Sequence, residues 1–169
     1  NRILVAEDYA PYQEVVREHL EDAGYCVQVA CNGKQAMDVC LAQPFDLVLM
    51  DVELPEMDGY EVARRIRSSD GRNRHAPILG MTGHIDDMAI SACLEAGMND
   101  VIRKPIHRGT FLRSVDAWLK DGGERTPSGS GPLARKAVCR PAQLSPPMDK
   151  AAALLRERGL RLRCWIVGK

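Results

Sequence analysis

From residue 2 to about residue 120, short apolar runs alternate with longer stretches whose apolar residues recur every three or four positions. The runs are Ile3-Leu4-Val5-Ala6, Tyr25 to Ala30, Leu47 to Met50, Pro77 to Met81 and Asp100-Val101-Ile102, the second more alternating than the others. Runs of this length are strands, and the periodic stretches between them are helices. Tyr12, Val16 and Leu20 stripe the first helix, which starts at Pro11 and ends at Gly24. Ala36/Cys40 and Met37/Leu41 stripe a second, opened by Asn32 and stopped near Pro44. The third runs from Tyr60 to Arg67 with Val62 and Ile66 inward, and the fourth from about Asp86 to Ala96, closed by Gly97. Phe111, Val115, Trp118 and Leu119 mark the last. A strand that is apolar on both faces needs cover on both, which a parallel sheet with crossover helices supplies. The expected fold class is therefore α/β: five βα units around a five-stranded parallel sheet.

Beyond Lys120 this register is lost. Residues 121–147, with DGGERTPSGSGP and PAQLSPP, read as a flexible linker. In 148–169, Met148 to Gly159 has the pattern of a short helix capped by Asp149, and LRLRCWIVGK is expected to be unstructured. Charge divides at the same place: residues 1–120 hold 13 Lys+Arg against 19 Asp+Glu, and residues 121–169 hold 10 against 4. We read the basic segment as a solvated tail; it lacks a helix-turn-helix pattern, and no nucleic-acid partner is expected. Six cysteines without a CxxC pair or zinc-finger spacing are expected to be reduced thiols, core or surface. No apolar run approaches the ~18 residues of a membrane span, so no membrane contact and a cytoplasmic location are expected. The chain opens on Asn1 and is expected to be a segment of something longer.

The stretch LVLMDVELPEMDGYE poses the chemical question, because its apolar strand runs straight into Asp51. Burying a carboxylate is costly unless something pairs with it. Ligands of open α/β sheets bind outside the carboxyl ends of the strands. Glu7-Asp8 ends the first strand, Asp51 the third, Thr82 the fourth, and Lys104 follows the fifth just before Pro105. If strands 1 and 3 are neighbours, an order that residue patterns alone do not give, three carboxylates meet in one crevice, where like charges oppose one another's ionisation. A divalent cation with hard oxygen ligands relieves that, and Mg2+ suits a site with few carboxylates and phosphate oxygens. A hydroxyl and an ammonium beside such a carboxylate make a phosphoryl-transfer site. In this reading Asp51 is the nucleophile, Lys104 balances charge on the phosphoryl oxygens, and Thr82 donates a hydrogen bond to one of them.

The set Glu7-Asp8, Asp51 in DVELPEMDGYE, Thr82 in GMTGH and RKPI around Lys104 resembles the receiver domain of two-component response regulators. It is most similar to receivers of hybrid sensor histidine kinases, over residues 2 to about 120. The resemblance implies the flavodoxin-like (βα)5 fold with strand order 2-1-3-4-5. It implies that Asp51 accepts a phosphoryl group from phosphohistidine on a histidine kinase or histidine phosphotransfer protein. Asp8, Asp51 and the backbone carbonyl of Glu53 would ligate Mg2+, with Glu7 acting largely through bound water. A cis Lys104–Pro105 bond belongs to the same expectation.

One position departs from the pattern. Receivers usually carry Tyr or Phe where this chain has Val101, and their ring turns inward when the threonine engages the phosphoryl group. Without that ring the domain is expected to relay phosphate more than to switch shape. Glu53 and His84, two residues past Asp51 and Thr82, are expected to flank the path of hydrolytic water. His19 inside REHLED lacks a phosphohistidine motif and is expected to be exposed, and His75, His84 and His107 have no metal spacing. Asp58-Gly59 is expected to start the third helix, and Thr82 has a second possible role in capping the fourth. Two other functions compete. A haloacid-dehalogenase-like phosphatase wants a second Asp where Glu53 stands. A phosphorylation-independent binding module would keep the fold and leave the site vestigial.

Overall fold

The structure is a computed structural model and describes residues 1–120; the expected linker at 121–147 and tail at 148–169 lie outside the described residues. Five strands and five helices alternate: β1 (Arg2–Ala6), α1 (Ala10–Asp22), β2 (Cys26–Ala30), α2 (Gly33–Ala42), β3 (Leu47–Asp51), α3 (Gly59–Ser68), β4 (Ile78–Thr82), α4 (Asp87–Glu95), β5 (Asp100–Arg103) and α5 (Arg108–Lys120). All strands are parallel in the order β2-β1-β3-β4-β5, as the resemblance implied.

Alternate residues of each central strand serve opposite layers. Leu4, Ala6, Val48, Met50 and Ile78 pack with Ala36, Cys40, Val62, Ile66 and Cys93 of α2, α3 and α4. Ile3, Val5, Leu47, Leu49, Leu79 and Met81 pack with Val16 and Leu20 of α1 and Phe111, Val115 and Trp118 of α5. Every residue of β3 and β4 is buried, which explains why those strands read as unbroken apolar runs. Gly80 is in β4 because a Cβ there would lie 2.8 Å from the sulfur of Met98 and 3.2 Å from that of Cys93.

The helices begin where their capping residues put them. Asn32, Asp58 and Asp86 accept from the backbone N–H groups of Gln35, Glu61 and Ala89, each at 2.7 Å. Pro11 stands in the first turn of α1, where no intrahelical donor is lost, and Gly24 follows that helix at φ +85°. One half-buried guanidinium joins α3 to the α4–β5 turn. Arg67 donates to the carbonyls of Gly97 (2.8 Å), Arg74 (2.7 Å) and Ala76 (2.8 Å) and to Oδ1 of Asn99 (2.7 Å).

Three expectations need correction. Leu41 does not join the core stripe of α2: it is 59% exposed, while Gly33, Ala36 and Cys40 are buried and Met37 and Val39 pack half-buried against the same layer. His19 is half-buried rather than exposed, one residue before the buried Leu20, and its Nδ1 has no hydrogen-bond partner among the described residues. Thr82 does not cap α4; Asp86 does. Cys40 and Cys93 are buried and Cys26 and Cys31 exposed, all four free thiols. Among the described residues no helix is long and apolar enough to cross a membrane.

Candidate functional site

Because β1 and β3 are neighbours, with Ala6 level with Met50, the residues that follow them emerge side by side at one end of the sheet. Glu7 is held by its own backbone N–H donating to the carbonyl of Ala30, and it stays almost wholly buried at 1% exposure. Asp51, the last residue of β3, is 5% exposed, and Asp8 is exposed. Carboxylate oxygens of Glu7, Asp8 and Asp51 all lie within 4.8 Å of one another.

Lys104 reaches this cluster from beyond β5. Its backbone N–H donates to the carbonyl of Thr82 at 2.8 Å, which anchors the residue across the β4–β5 pair, and the bond to Pro105 is cis. The ammonium then donates to Oε2 of Glu7 at 2.6 Å and to Oδ2 of Asp51 at 2.7 Å. Asp51 keeps its other oxygen, Oδ1, on the backbone N–H of Glu53 at 3.1 Å. Two buried carboxylates thus share one cation, and Asp8 has no ion pair among the described residues.

These contacts set the protonation of the cluster. Burial holds the Glu7 carboxyl above its ordinary range; the hydrogen bond from Lys104 pulls the other way, and the nearby charge of Asp51 adds to the rise. For Lys104 burial disfavours the charged form, yet the hydrogen bonds to Asp51 and Glu7 outweigh it and the ammonium is held above its ordinary value. The lysine is therefore charged throughout the neutral range.

The surrounding loops are shaped to this spot. Gly59 opens α3 directly beneath Asp51, where a Cβ would come within 2.1 Å of the Asp51 carbonyl oxygen. Thr82 is buried at the end of β4, and its hydroxyl exchanges hydrogen bonds with the backbone of His84, donating to the carbonyl (3.1 Å) and accepting from the N–H (3.2 Å). That hydroxyl has no hydrogen bond to Lys104 or Asp51, so it stands at the rim of the cluster. Glu53 and His84 are both exposed. His75 and His107 are exposed and take no part in the acidic cluster.

Two members of the site escaped the sequence reading. Tyr12, taken as part of the core stripe of α1, lies with its ring centroid 4.8 Å from Nζ of Lys104, and its hydroxyl accepts from the backbone N–H of Ile106 at 3.2 Å. Gln13 donates to the backbone carbonyl of Glu7. Both sit just past Pro11, and only the helix start that Pro11 marks could have placed them over the strand ends.

The donor set suits a small hard cation. Three carboxylates against a single ammonium leave an excess of negative charge, and all the ligand atoms are oxygens.

Comparison with known proteins agrees with this geometry. The family model described as the response regulator receiver domain matches residues 3–116. The CAI-1 autoinducer sensor kinase/phosphatase CqsS of Vibrio cholerae is 37% identical over 118 residues, which is 70% of this chain and 17% of that protein. Sensor histidine kinase GacS of Pseudomonas protegens is 34% identical over 119 residues, 69% of this chain and 13% of that one. The chain thus spans less than a fifth of either relative's length. Among solved structures, the receiver domain of sensor histidine kinase PA1611 from Pseudomonas aeruginosa, described with a magnesium ion coordinated in the active site cleft, superposes with a TM-score of 0.66 at 35% identity, covering 70% of this chain and 97% of that one. The chemotaxis protein CheY4 of Vibrio cholerae gives a TM-score of 0.65 at 26% identity, covering 69% and 96%. Sequence, strand order and neighbours converge, and the chain belongs to the response regulator receiver family of two-component signalling, with hybrid sensor histidine kinases among its relatives.

Proposed function

We propose that this chain is a phosphoacceptor relay unit in which Asp51 takes a phosphoryl group from phosphohistidine on a histidine kinase or histidine phosphotransfer protein. The observation that carries the reading is the ammonium of Lys104 bridging Asp51 and Glu7 at 2.7 and 2.6 Å beside a third carboxylate. An Asp51 carboxylate oxygen attacks phosphorus, the P–N bond breaks, and the histidine nitrogen keeps the electron pair. The product is an acyl phosphate on Asp51. Lys104 leaves its carboxylate partner to meet the charge on the phosphoryl oxygens, and the Thr82 hydroxyl turns from His84 to donate to one of them.

The cluster fits Mg2+. Asp8, Asp51 and the Glu53 carbonyl would hold it, with Glu7 acting through bound water. When bound, it supplies the positive charge that lets several acidic groups and a phosphoryl group share the crevice. This chain's own part is to hold and aim Asp51, through Lys104 on one oxygen and the Glu53 N–H on the other.

The relay reading, as opposed to a shape switch, rests on Val101. It is a half-buried β5 residue packed against the layer of α2, α3 and α4, and it has no ring to swing. Spectra of α4 and α5 recorded with and without a phosphoryl mimic should therefore differ little.

The test is incubation with acetyl phosphate and Mg2+, followed by intact mass. Wild type should gain one phosphoryl group, and Asp51→Asn none. An unlabelled wild type would instead support a phosphorylation-independent binding module, and turnover of an external phosphate ester would support a phosphatase.

A further inference from the structure

Lys104 has a third partner besides its two carboxylates. An ammonium carries three N–H donors, and Glu7 and Asp51 take two of them. The ring of Tyr12 covers another side of the same nitrogen, 4.8 Å from centroid to Nζ. An aromatic face carries partial negative charge and attracts a cation at this range. The same side chain also reaches two residues further along: its hydroxyl accepts from the Ile106 N–H at 3.2 Å. Tyr12 thereby touches the tip of Lys104 and the backbone just past the cis Lys104–Pro105 bond. Its position is set from the opposite direction, by α1, whose Val16 and Leu20 are locked into the core.

We propose that Tyr12 is a positioning residue for Lys104, seating the ammonium against its ring while the phosphoryl group is transferred. The inference deepens the phosphoacceptor reading and rests on it. On phosphoryl arrival the ammonium exchanges a carboxylate partner for phosphoryl oxygens, so a restraint made of hydrogen bonds alone would be lost at the moment it is needed. A ring contact has no fixed donor–acceptor geometry. It restrains the cation without competing with the phosphoryl oxygens for its hydrogens.

The experiment uses the full chain and four variants: Tyr12→Phe keeps the ring, Tyr12→Leu and Tyr12→Met remove it, and Asp51→Asn serves as the unlabelled control. The labelling rate with acetyl phosphate and Mg2+ is followed by intact mass, and the Lys104 Hε resonance by NMR on lysine-labelled protein. Tyr12→Phe should label close to the wild-type rate, and the ring-free variants about two- to fivefold slower. The ring should displace the Lys104 Hε resonance in wild type and Tyr12→Phe, and the displacement should vanish in Tyr12→Leu and Tyr12→Met. Ring-bearing and ring-free variants with equal labelling rates would overturn the proposal, as would a Lys104 resonance indifferent to the ring. Labelling that fails in wild type would sink the phosphoacceptor reading, and the resonance, which needs no phosphoryl donor, would still show whether Tyr12 seats the ammonium.

Discussion

Replacing Lys104 with Met keeps most of the side chain's volume and deletes its charge, which isolates what the ammonium contributes. The Glu7 and Asp51 side chains are 2% and 7% exposed, so water cannot replace the lost cation around them. Removing one member of a buried ion pair costs about 3–5 kcal/mol. The lysine side chain is itself 20% exposed, which points to the lower end, about 3 kcal/mol near neutral pH without divalent cations. The deficit should also depend on pH. In the wild type burial holds Glu7 above its ordinary value of 4.5, so folding favours its protonated form. Such an acid adds stability at low pH and withdraws it as pH rises from 4.5 through the raised value. Without the ammonium that value climbs further, Glu7 takes up its proton earlier on acidification, and the deficit shrinks as pH falls from neutral toward the ordinary value of 4.5. Lys104 has the complementary sign: its contribution is complete below 10.5 and is lost as pH rises through its raised folded value. The deficit should accordingly be largest in the neutral and mildly alkaline range. Urea unfolding of both proteins followed by circular dichroism, in chelator, measures it. Equal stability at neutral pH, or a deficit that does not change on acidification, would mean that the ammonium does not balance Glu7 and Asp51.

Other consequences are open to simple measurement. Mg2+ at ~100 times its dissociation constant should stabilise wild type by about 2.7 kcal/mol, and Asp8→Asn should lose most of that gain in paired urea titrations with and without the ion. Gly59→Ala places a Cβ 2.1 Å from the Asp51 carbonyl oxygen. It should cost about 2–3 kcal/mol in urea unfolding and slow labelling, since the strain falls on the residue that is to be phosphorylated. Arg67→Leu leaves three carbonyls and the Asn99 side chain without their shared donor. A loss of about 3 kcal/mol is expected by thermal or chemical unfolding, with Mg2+ stabilisation retained because the crevice is untouched.

Much of this was legible in the residues, for reasons that differ by element. The apolar runs announced strands buried on both faces, and β3 and β4 are indeed buried throughout. Caps at Asn32 and Asp58 showed because their side-chain chemistry is local to the helix start. The order of strands was of another kind: nothing in a run of apolar residues says which neighbour it pairs with, and the expected order came from family resemblance. Leu41 defeats expectation because a four-residue periodicity does not say where the stripe's edge falls, and His19 because the lack of a phosphohistidine motif says nothing of burial. At the site, strand-end acids were conspicuous as charges following apolar runs. Tyr12 was not. A tyrosine on an apolar stripe looks like core, and only the three-dimensional placement of Lys104 over its ring shows the second contact.

If Asp51 is the phosphoacceptor, the acyl phosphate must form on its carboxylate. The direct measurement is to treat the labelled chain with a hydride reductant, which converts an aspartyl phosphate to homoserine, and to map the modified residue by peptide mass spectrometry. Homoserine at position 51 alone, dependent on Mg2+ and absent when the phosphoryl donor is omitted, is the predicted result. Label on a histidine or a serine, or label that persists in Asp51→Asn, would contradict it.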